Sequence, residues 1–404
     1  MNSNLQKLSL RLRTLTVFRA LTKDPVVSSL IACLDKLDRG ELEEKVSAYT
    51  EFVSKLYEAH TVNLSRYIKD IVYNDENIYI KTVGMGESPS KVLSDSLLSE
   101  LVILQKVADL TPLALRKGLE WDGYLPRWEN EKVDLISGYR HRVENIEKYG
   151  YGIYAAYRMF YVDGDGRIVP VKNPDGIRLS DLIDYDREKK VILENTRALL
   201  AGKPAANVLL TGDAGTGKSS TVKAVVNELC TEGLRILEVR KEQLHKISAI
   251  IDELNSNPLK FILFIDDLSF AKDDDNFSAL KAILEGSVSA KSQNVVIYAT
   301  SNRRHLVKEK FSDREGDDVH VRDTMQEIVS LSERFGIHLS FSKPDKKTYL
   351  DIVHHLVSRM GIEYNEEKLD AAAERFALSR SSRSARAAKQ FADSLLSGSD
   401  EEIV

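Results

Sequence analysis

Leu30, Ile31, Leu34 and Leu37 recur at helical spacing, as do Val46, Tyr49, Phe52, Val53 and Leu56. Leu93, Leu97, Leu98, Leu101 and Leu104 mark another helix, which Ser90 is placed to open. Residues 1 to about 110 therefore read as helices whose stripes meet in a helical core. Near 150 the period changes. Met159 to Val162 and Arg167 to Val171 flank Asp163-Gly164-Asp165-Gly166, a hairpin turn. From about 180 the chain alternates. A helix near 186–201 precedes a strand, Asn207 to Leu210, then a glycine-rich loop and a helix from Lys218. A strand at Arg235 to Val239, a helix at about 241–255 and the apolar run Phe261 to Ile265 follow. A helix near 276–286, a strand Val295 to Ala299, a helix over 321–333 and a strand Ile337 to Phe341 complete the series. Such alternation implies a parallel sheet with helices on both faces. After Pro344 the pattern is helical through Tyr349, Ile352, Val353 and Leu356, and again over 384–396. The expected divisions are 1–115 (helical), 116–180 (connecting, with the hairpin), 181–343 (α/β core) and 344–404 (helical).

Length fits that picture, since 404 residues suggest two or three domains. Hydrophobic content of 43% and charged content of 29% exclude a largely disordered chain. The 57 basic against 62 acidic residues leave a net charge of −5, so no global basic field points to nucleic acid. Cys33 and Cys230 offer no disulfide framework or metal spacing and read as reduced thiols. Lys7, Arg11 and Arg13 interrupt the first leucines, and no apolar stretch approaches membrane-spanning length. The expectation is a soluble, cytoplasmic protein without a membrane partner. The Asp163–Gly166 turn resembles the middle of a calcium loop, but its register puts Tyr161 and Lys172 where acids are needed. A structural turn is expected instead.

Chemistry enters at Gly212-Asp213-Ala214-Gly215-Thr216-Gly217-Lys218-Ser219, which fits G-x-x-x-x-G-K-S/T between an expected strand and an expected helix. Glycines let backbone N–H groups approach phosphate oxygens, and the helix that follows adds its partial positive charge. Lys218 reaches β- and γ-phosphates, Ser219 is placed to ligate Mg²⁺, and Ser220 is counted with the loop. The cofactors expected are ATP and Mg²⁺. About fifty residues on, Phe261 to Ile265 ends in Asp266-Asp267, an apolar strand plus acids as in Walker B. Asp266 would hold Mg²⁺ and Asp267 would polarise the attacking water. Asp273-Asp274-Asp275 reads as a solvated loop. Adjacent His354 and His355 face different directions on a helix and are poor joint metal ligands. No serine or cysteine triad is visible.

The order of P-loop, Walker B, a strand ending in Asn302, Arg334 before another strand and a helical tail resembles an AAA+ ATPase. More closely, the chain resembles a bacterial family of AAA+-type ATP-binding proteins classed as a domain of unknown function. Asn207 to Leu210, Ile265 to Phe270, Ser330 to Gly336 and Ser384 to Phe391 carry that likeness, which spans about 110–396 and is strongest from 180. It implies a P-loop NTPase sheet with a helical lid, preceded by a mainly α domain. By the same resemblance Asn302 matches sensor 1 and Arg334 an arginine finger. Arg386 matches sensor 2, with Arg383 competing, and Leu182-Ile183-Asp184-Tyr185 flanks the adenine through Ile183. Two positions depart from the pattern. Asp267 stands where many relatives carry glutamate, and Asp184 where a glycine is common.

The resemblance further implies a homo-oligomer, a ring among the arrangements open, that turns ATP hydrolysis into work on a protein client the sequence does not name. One alternative is a nucleotide-gated switch or scaffold with little turnover. Another is a DNA-associated loader. For the loader the only local signal is a basic tail, Arg375, Arg380, Arg383, Arg386 and Lys389, without interleaved aromatics.

Overall fold

The computed structural model describes residues 3–119, 121–268, 280–284, 293–302, 333–380 and 382–396. The helix expected over 321–333 lies outside these apart from Glu333, and so do Ser269, Phe270, Asp273 to Asp275 and Ser330 to Ser332. Of the helix expected near 276–286, residues 280–284 are described and are helical. The chain forms two compact units, 1–156 and 157–404.

The first unit is helical. Pro25–Arg39 opens on Asp24, whose carboxylate accepts from the N–H groups of Val26 and Val27 at 3.0 Å. Leu42–Glu58 and Lys91–Ala108 follow the stripes read from the sequence, the latter capped by Ser90. Their apolar faces meet in one core with Trp128, which packs edge-on to Phe52 and donates its indole N–H to the Leu110 carbonyl at 2.9 Å. Leu135–Glu144 adds Leu135 and Tyr139 to the same core.

The second unit is built on a seven-stranded sheet: β1 (Met159–Val162), β2 (Ile168–Pro170), β3 (Val208–Gly212), β4 (Leu234–Glu238), β5 (Lys260–Ile265), β6 (Val295–Ser301) and β7 (Ile337–Phe341). Their order is β2-β1-β4-β5-β6-β3-β7, parallel except for the β1–β2 hairpin. The hairpin is thus an edge of this sheet. Its turn is structural, for the Asp163 carboxylate accepts from the Asp165 and Arg167 N–H groups at 2.9 Å. Strand β3 runs two residues past Leu210 because β7 pairs with it as far as Gly212 and Phe341. The segment expected to be one helix over 241–255 begins as a 3₁₀ turn, Lys241–Lys246, and becomes α-helical at Ile247–Asn255.

The expected α/β core, a parallel sheet with the glycine-rich loop between a strand and a helix and with helices after the last strand, is the one observed. Because β6 and β5 lie between β3 and β4, the chain leaving β3 must cross the sheet before pairing again. Crevices at the carboxyl ends of parallel strands form at such reversals. The helix after the loop, Lys218–Leu229, buries Val222, Val225, Val226 and Leu229 against the sheet. Lys346–Arg359, Glu366–Ser379 and Ala385–Leu396 close around their own core of Tyr349, Val353, Leu369 and Phe391. Among the described residues no helix is long and apolar enough to cross a membrane.

Candidate functional site

At the carboxyl end of β3 the backbone turns at Gly212, where φ is +141° and a Cβ would lie 1.9 Å from the Phe341 carbonyl oxygen. Only glycine fits so close to the neighbouring strand. The loop it starts borders a cleft of about 780 Å³, lined by residues 214–221 and by Asp266, Asp267, Thr300 and Asn302. Asp213 and Gly212 contribute carbonyls to the loop's interior. The Lys218 ammonium donates to both, at 2.7 and 2.9 Å, and to the Asn302 Oδ1 at 3.1 Å. Burial lowers its pKa, opposed by the nearby charges of Asp266, Asp213 and Asp267. A buried ammonium that makes up its lost hydration with neutral oxygens gains strongly from an anion.

The two aspartates after β5 are held differently. Asp266 Oδ1 accepts from Ser219 Oγ at 2.6 Å and from Thr300 Oγ1 at 2.5 Å. Asp267 Oδ1 accepts from Asn302 Nδ2 at 2.7 Å. Asp267 itself has φ +54°, in the left-handed region that costs a non-glycine residue roughly 1–2 kcal/mol. Its N–H donates to Thr300 Oγ1 at 2.9 Å, and the next N–H, of Leu268, donates to the Thr300 carbonyl at 2.7 Å. Hydroxyl and carboxylate oxygens 2.6 Å apart are the hard donors that Mg²⁺ prefers. Among the described residues no group of three or more His, Cys, Asp or Glu side chains could hold a metal. An ion between Ser219 and Asp266 would therefore share its shell with phosphates and water, as Mg²⁺ does in nucleotide sites.

Much of the remaining wall comes from the segment between β2 and β3 and from the first helix after β7. Leu182, Ile183, Asp184 and Tyr185 line it, facing Ile352 and Leu356 of the lid. Lys189 holds this segment, donating to the Leu182 carbonyl at 2.8 Å while paired with Asp186 at 2.7 Å. Asp184 and Tyr185 are both left-handed, with φ +74° and +59°, so the glycine common at position 184 would suit its backbone. The Tyr185 hydroxyl donates to the Ser342 carbonyl, its ring packs 4.7 Å from that of Phe341, and burial pushes its pKa up to about 12.

Arg383 and Arg386 have different surroundings. Arg383 makes a two-pronged pair with Glu374, at 3.0 and 2.9 Å, whereas Arg386 lines the cleft. The Arg386 N–H also reaches the Gly215 carbonyl at 3.3 Å, so the last lid helix rests on the P-loop. Gly215 permits this contact: φ is +81° and a Cβ would meet the Arg386 Cβ at 3.1 Å. Arg334 is elsewhere. It precedes β7 at the amino-terminal edge of the sheet and does not line the cleft. Strand β7 itself, four rises of ~3.3 Å or roughly 13 Å long, runs between the end nearest Arg334 and the Phe341 that pairs with Gly212. Of the basic lid residues, Lys389 lines the cleft and Arg380 lies over the Phe376 ring.

Sequence reasoning passed over Thr300, Lys189, Ile352 and Leu356. The last two were visible only as part of a core stripe. Thr300 carried one signal, a hydroxyl two positions before Asn302 near the end of a mostly apolar strand.

The family described as Protein of unknown function (DUF815) matches residues 154–399, more than half of the chain. The chain belongs to this DUF815 family. In DUF815 terms the match contains the whole sheet, the cleft and the lid, and leaves most of the helical unit outside. Among curated proteins none matches the chain. Among solved structures, the Thermotoga maritima RuvB Holliday junction branch migration motor is 16% identical. The match covers 54% of this chain and 72% of that one, with a TM-score of 0.34. Caenorhabditis elegans PCH-2 is 19% identical over 56% and 66% of the two chains, with a TM-score of 0.40. A chain of the Escherichia coli MS115-1 HORMA:CdnC:Trip13 complex is 14% identical over 55% and 92%, with a TM-score of 0.35.

Proposed function

We propose that this chain binds ATP with Mg²⁺ in the cleft and hydrolyses it to ADP and phosphate. The observation that carries the reading is the pair of hydrogen-bonded rows meeting at the P-loop, Lys218–Asn302–Asp267 and Ser219–Asp266–Thr300. Loop N–H groups receive the phosphate oxygens, and Lys218 exchanges its carbonyl partners for β- and γ-oxygens. Ser219 and Asp266 are the residues that would hold Mg²⁺, which when bound neutralises charge on the β- and γ-phosphates. Asn302 orients the water and Asp267 takes its proton as the water oxygen bonds to the γ-phosphorus. The bond to the β–γ bridging oxygen breaks, and that oxygen leaves with ADP. Arg386 reaches the γ-phosphate from the lid. Ile183, Ile352 and Leu356 supply the apolar faces for adenine.

Arg334 acts in trans, on the nucleotide of a second copy, because its place at the far edge of β7 keeps it from its own P-loop. The protein therefore works as a homo-oligomer, in which hydrolysis at a shared interface moves a lid that rests on Gly215. The client is a protein, and nucleic acid is not indicated: Arg383 is held by Glu374, Arg380 lies over the Phe376 ring, and Arg386 and Lys389 line the cleft.

One observation favours a second reading, a switch with little turnover. Asp267 is one methylene shorter than glutamate and its carboxylate is already tied to Asn302. Phosphate release separates the two. Sustained release from Mg-ATP by wild type, absent from Lys218→Ala, is expected of the ATPase. One phosphate per chain followed by arrest indicates the switch, and nucleotide binding equal in wild type and Lys218→Ala removes both.

A further inference from the structure

The geometry points to Thr300 as the positioning residue that sets both aspartates at once, fixing Mg²⁺ affinity through Asp266 and turnover through Asp267. The inference rests on the ATPase reading of the cleft. Thr300 is buried near the end of β6, next to β5. A threonine hydroxyl has one proton to give and lone pairs to accept with. Here the proton goes to Asp266 Oδ1 at 2.5 Å, and a lone pair receives the Asp267 N–H at 2.9 Å. The Thr300 carbonyl takes the Leu268 N–H at 2.7 Å, so one residue holds three successive positions of the turn.

Each bond has a consequence. Bonded to Thr300 and Ser219 through Oδ1, the Asp266 carboxylate keeps one orientation, and among the described residues no donor reaches Oδ2. The bond to the Asp267 N–H helps hold φ at +54°, the conformation that aims the Asp267 carboxylate at Asn302. Without the hydroxyl that N–H has no partner, and the left-handed turn loses what offsets its strain. Outer partners that orient metal-binding carboxylates typically cost 10–100-fold in metal affinity or activity when removed. Thr300 touches neither nucleotide nor water in this scheme and acts only through the two acids.

The test compares wild type, Thr300→Val and Thr300→Ser in the full chain. Affinity for a fluorescent ATP analogue is measured in EDTA and across a Mg²⁺ titration, and phosphate release is measured at saturating Mg²⁺. Thr300→Val should bind as wild type in EDTA, which reports an intact fold and P-loop. Its Mg²⁺ half-saturation should rise, and its turnover at saturating Mg²⁺ should fall, each by about 10–100-fold. Thr300→Ser, which keeps the hydroxyl, should restore both to within a few fold. Thr300→Val with wild-type Mg²⁺ half-saturation overturns the inference, as does Thr300→Ser behaving like Thr300→Val. Loss of binding by Thr300→Val in EDTA also overturns it, because the defect then lies in the fold. Wild type that binds no analogue under any condition overturns the ATPase reading and this inference with it.

Discussion

Glu100 in the helical unit and Asp266 in the α/β unit are carboxylates held by several protein donors, yet they end with opposite capacities. Glu100 is buried, and its two oxygens accept from the N–H groups of Thr16, Val17 and Phe18 and from the Thr16 hydroxyl, at 2.7 to 3.0 Å. Its acceptor sites are spent on holding a segment far away in sequence. Asp266 takes both of its donors on one oxygen and lines the cleft. Backbone strain divides in the same way. Among the described residues four non-glycines have positive φ, and three of them, Asp184, Tyr185 and Asp267, line the cleft. The fourth, His60, lies just past the end of Leu42–Glu58, where a left-handed residue closes a helix. A saturated carboxylate and a left-handed helix stop serve folding. A half-used carboxylate and a strained turn in a cleft are what a ligand site retains.

The contrast predicts that substitutions in the two units fail in different assays. The largest effect is expected at Arg334. Fingers contribute roughly 10³–10⁵ in rate, so Arg334→Ala should lose nearly all turnover while binding ATP as wild type. Mixing it with Lys218→Ala should restore part of the phosphate release, in proportion to interfaces that pair one intact P-loop with one intact finger. Normal hydrolysis by Arg334→Ala would end the finger assignment. Lys218→Ala comes next, with ATP affinity lower by roughly 30-fold to several thousand-fold in a fluorescent-analogue titration, as truncating one partner of a hydrogen-bonded charge pair costs about 2–5 kcal/mol. Its denaturation midpoint should move little. Glu100→Ala should show the reverse, losing roughly 2–5 kcal/mol in chemical denaturation because four donors lose their acceptor, with ATP affinity unchanged. A changed ATP affinity would contradict this separation of folding from ligand binding. The smallest effect belongs to His60→Gly, expected to stabilise by about 0.5–1 kcal/mol without altering phosphate release, since glycine relieves the left-handed backbone.

What the sequence disclosed follows from how local each requirement is. The P-loop was legible because phosphate chemistry demands particular residue types at fixed spacing within eight positions, and the strand–helix frame came from periodicity. Asp266 and Asp267 were legible as acids closing an apolar strand. The left-handed turn between them and the Thr300 clasp were not, because both arise from the pairing of β5 with β6, two segments far apart in the chain. Arg386 was preferred over Arg383 in sequence only by resemblance, and their surroundings differ in the structure, Arg383 paired with Glu374 and Arg386 lining the cleft. Leu135–Glu144 was hidden in what read as connecting chain, since Gly138, Arg140 and Arg142 dilute its stripe. Arg334 could be placed at the far edge of the sheet only once β7 was seen to run parallel to β3.

The central claim is that two adjacent aspartates divide the labour, Asp266 for the metal and Asp267 for the water. Asp267→Asn tests it most directly, since the amide keeps an oxygen for Asn302 but cannot take a proton. The measurement is a single-turnover assay with radiolabelled ATP and Mg²⁺, reading bound ATP and released phosphate together, with Asp266→Ala alongside. The account predicts that Asp267→Asn retains ATP and releases phosphate at least ~100-fold more slowly than wild type, as expected for loss of a general base. It predicts that Asp266→Ala loses Mg²⁺-dependent binding and hydrolysis together. Hydrolysis by Asp267→Asn at the wild-type rate, or failure of Asp267→Asn to hold ATP, would contradict it.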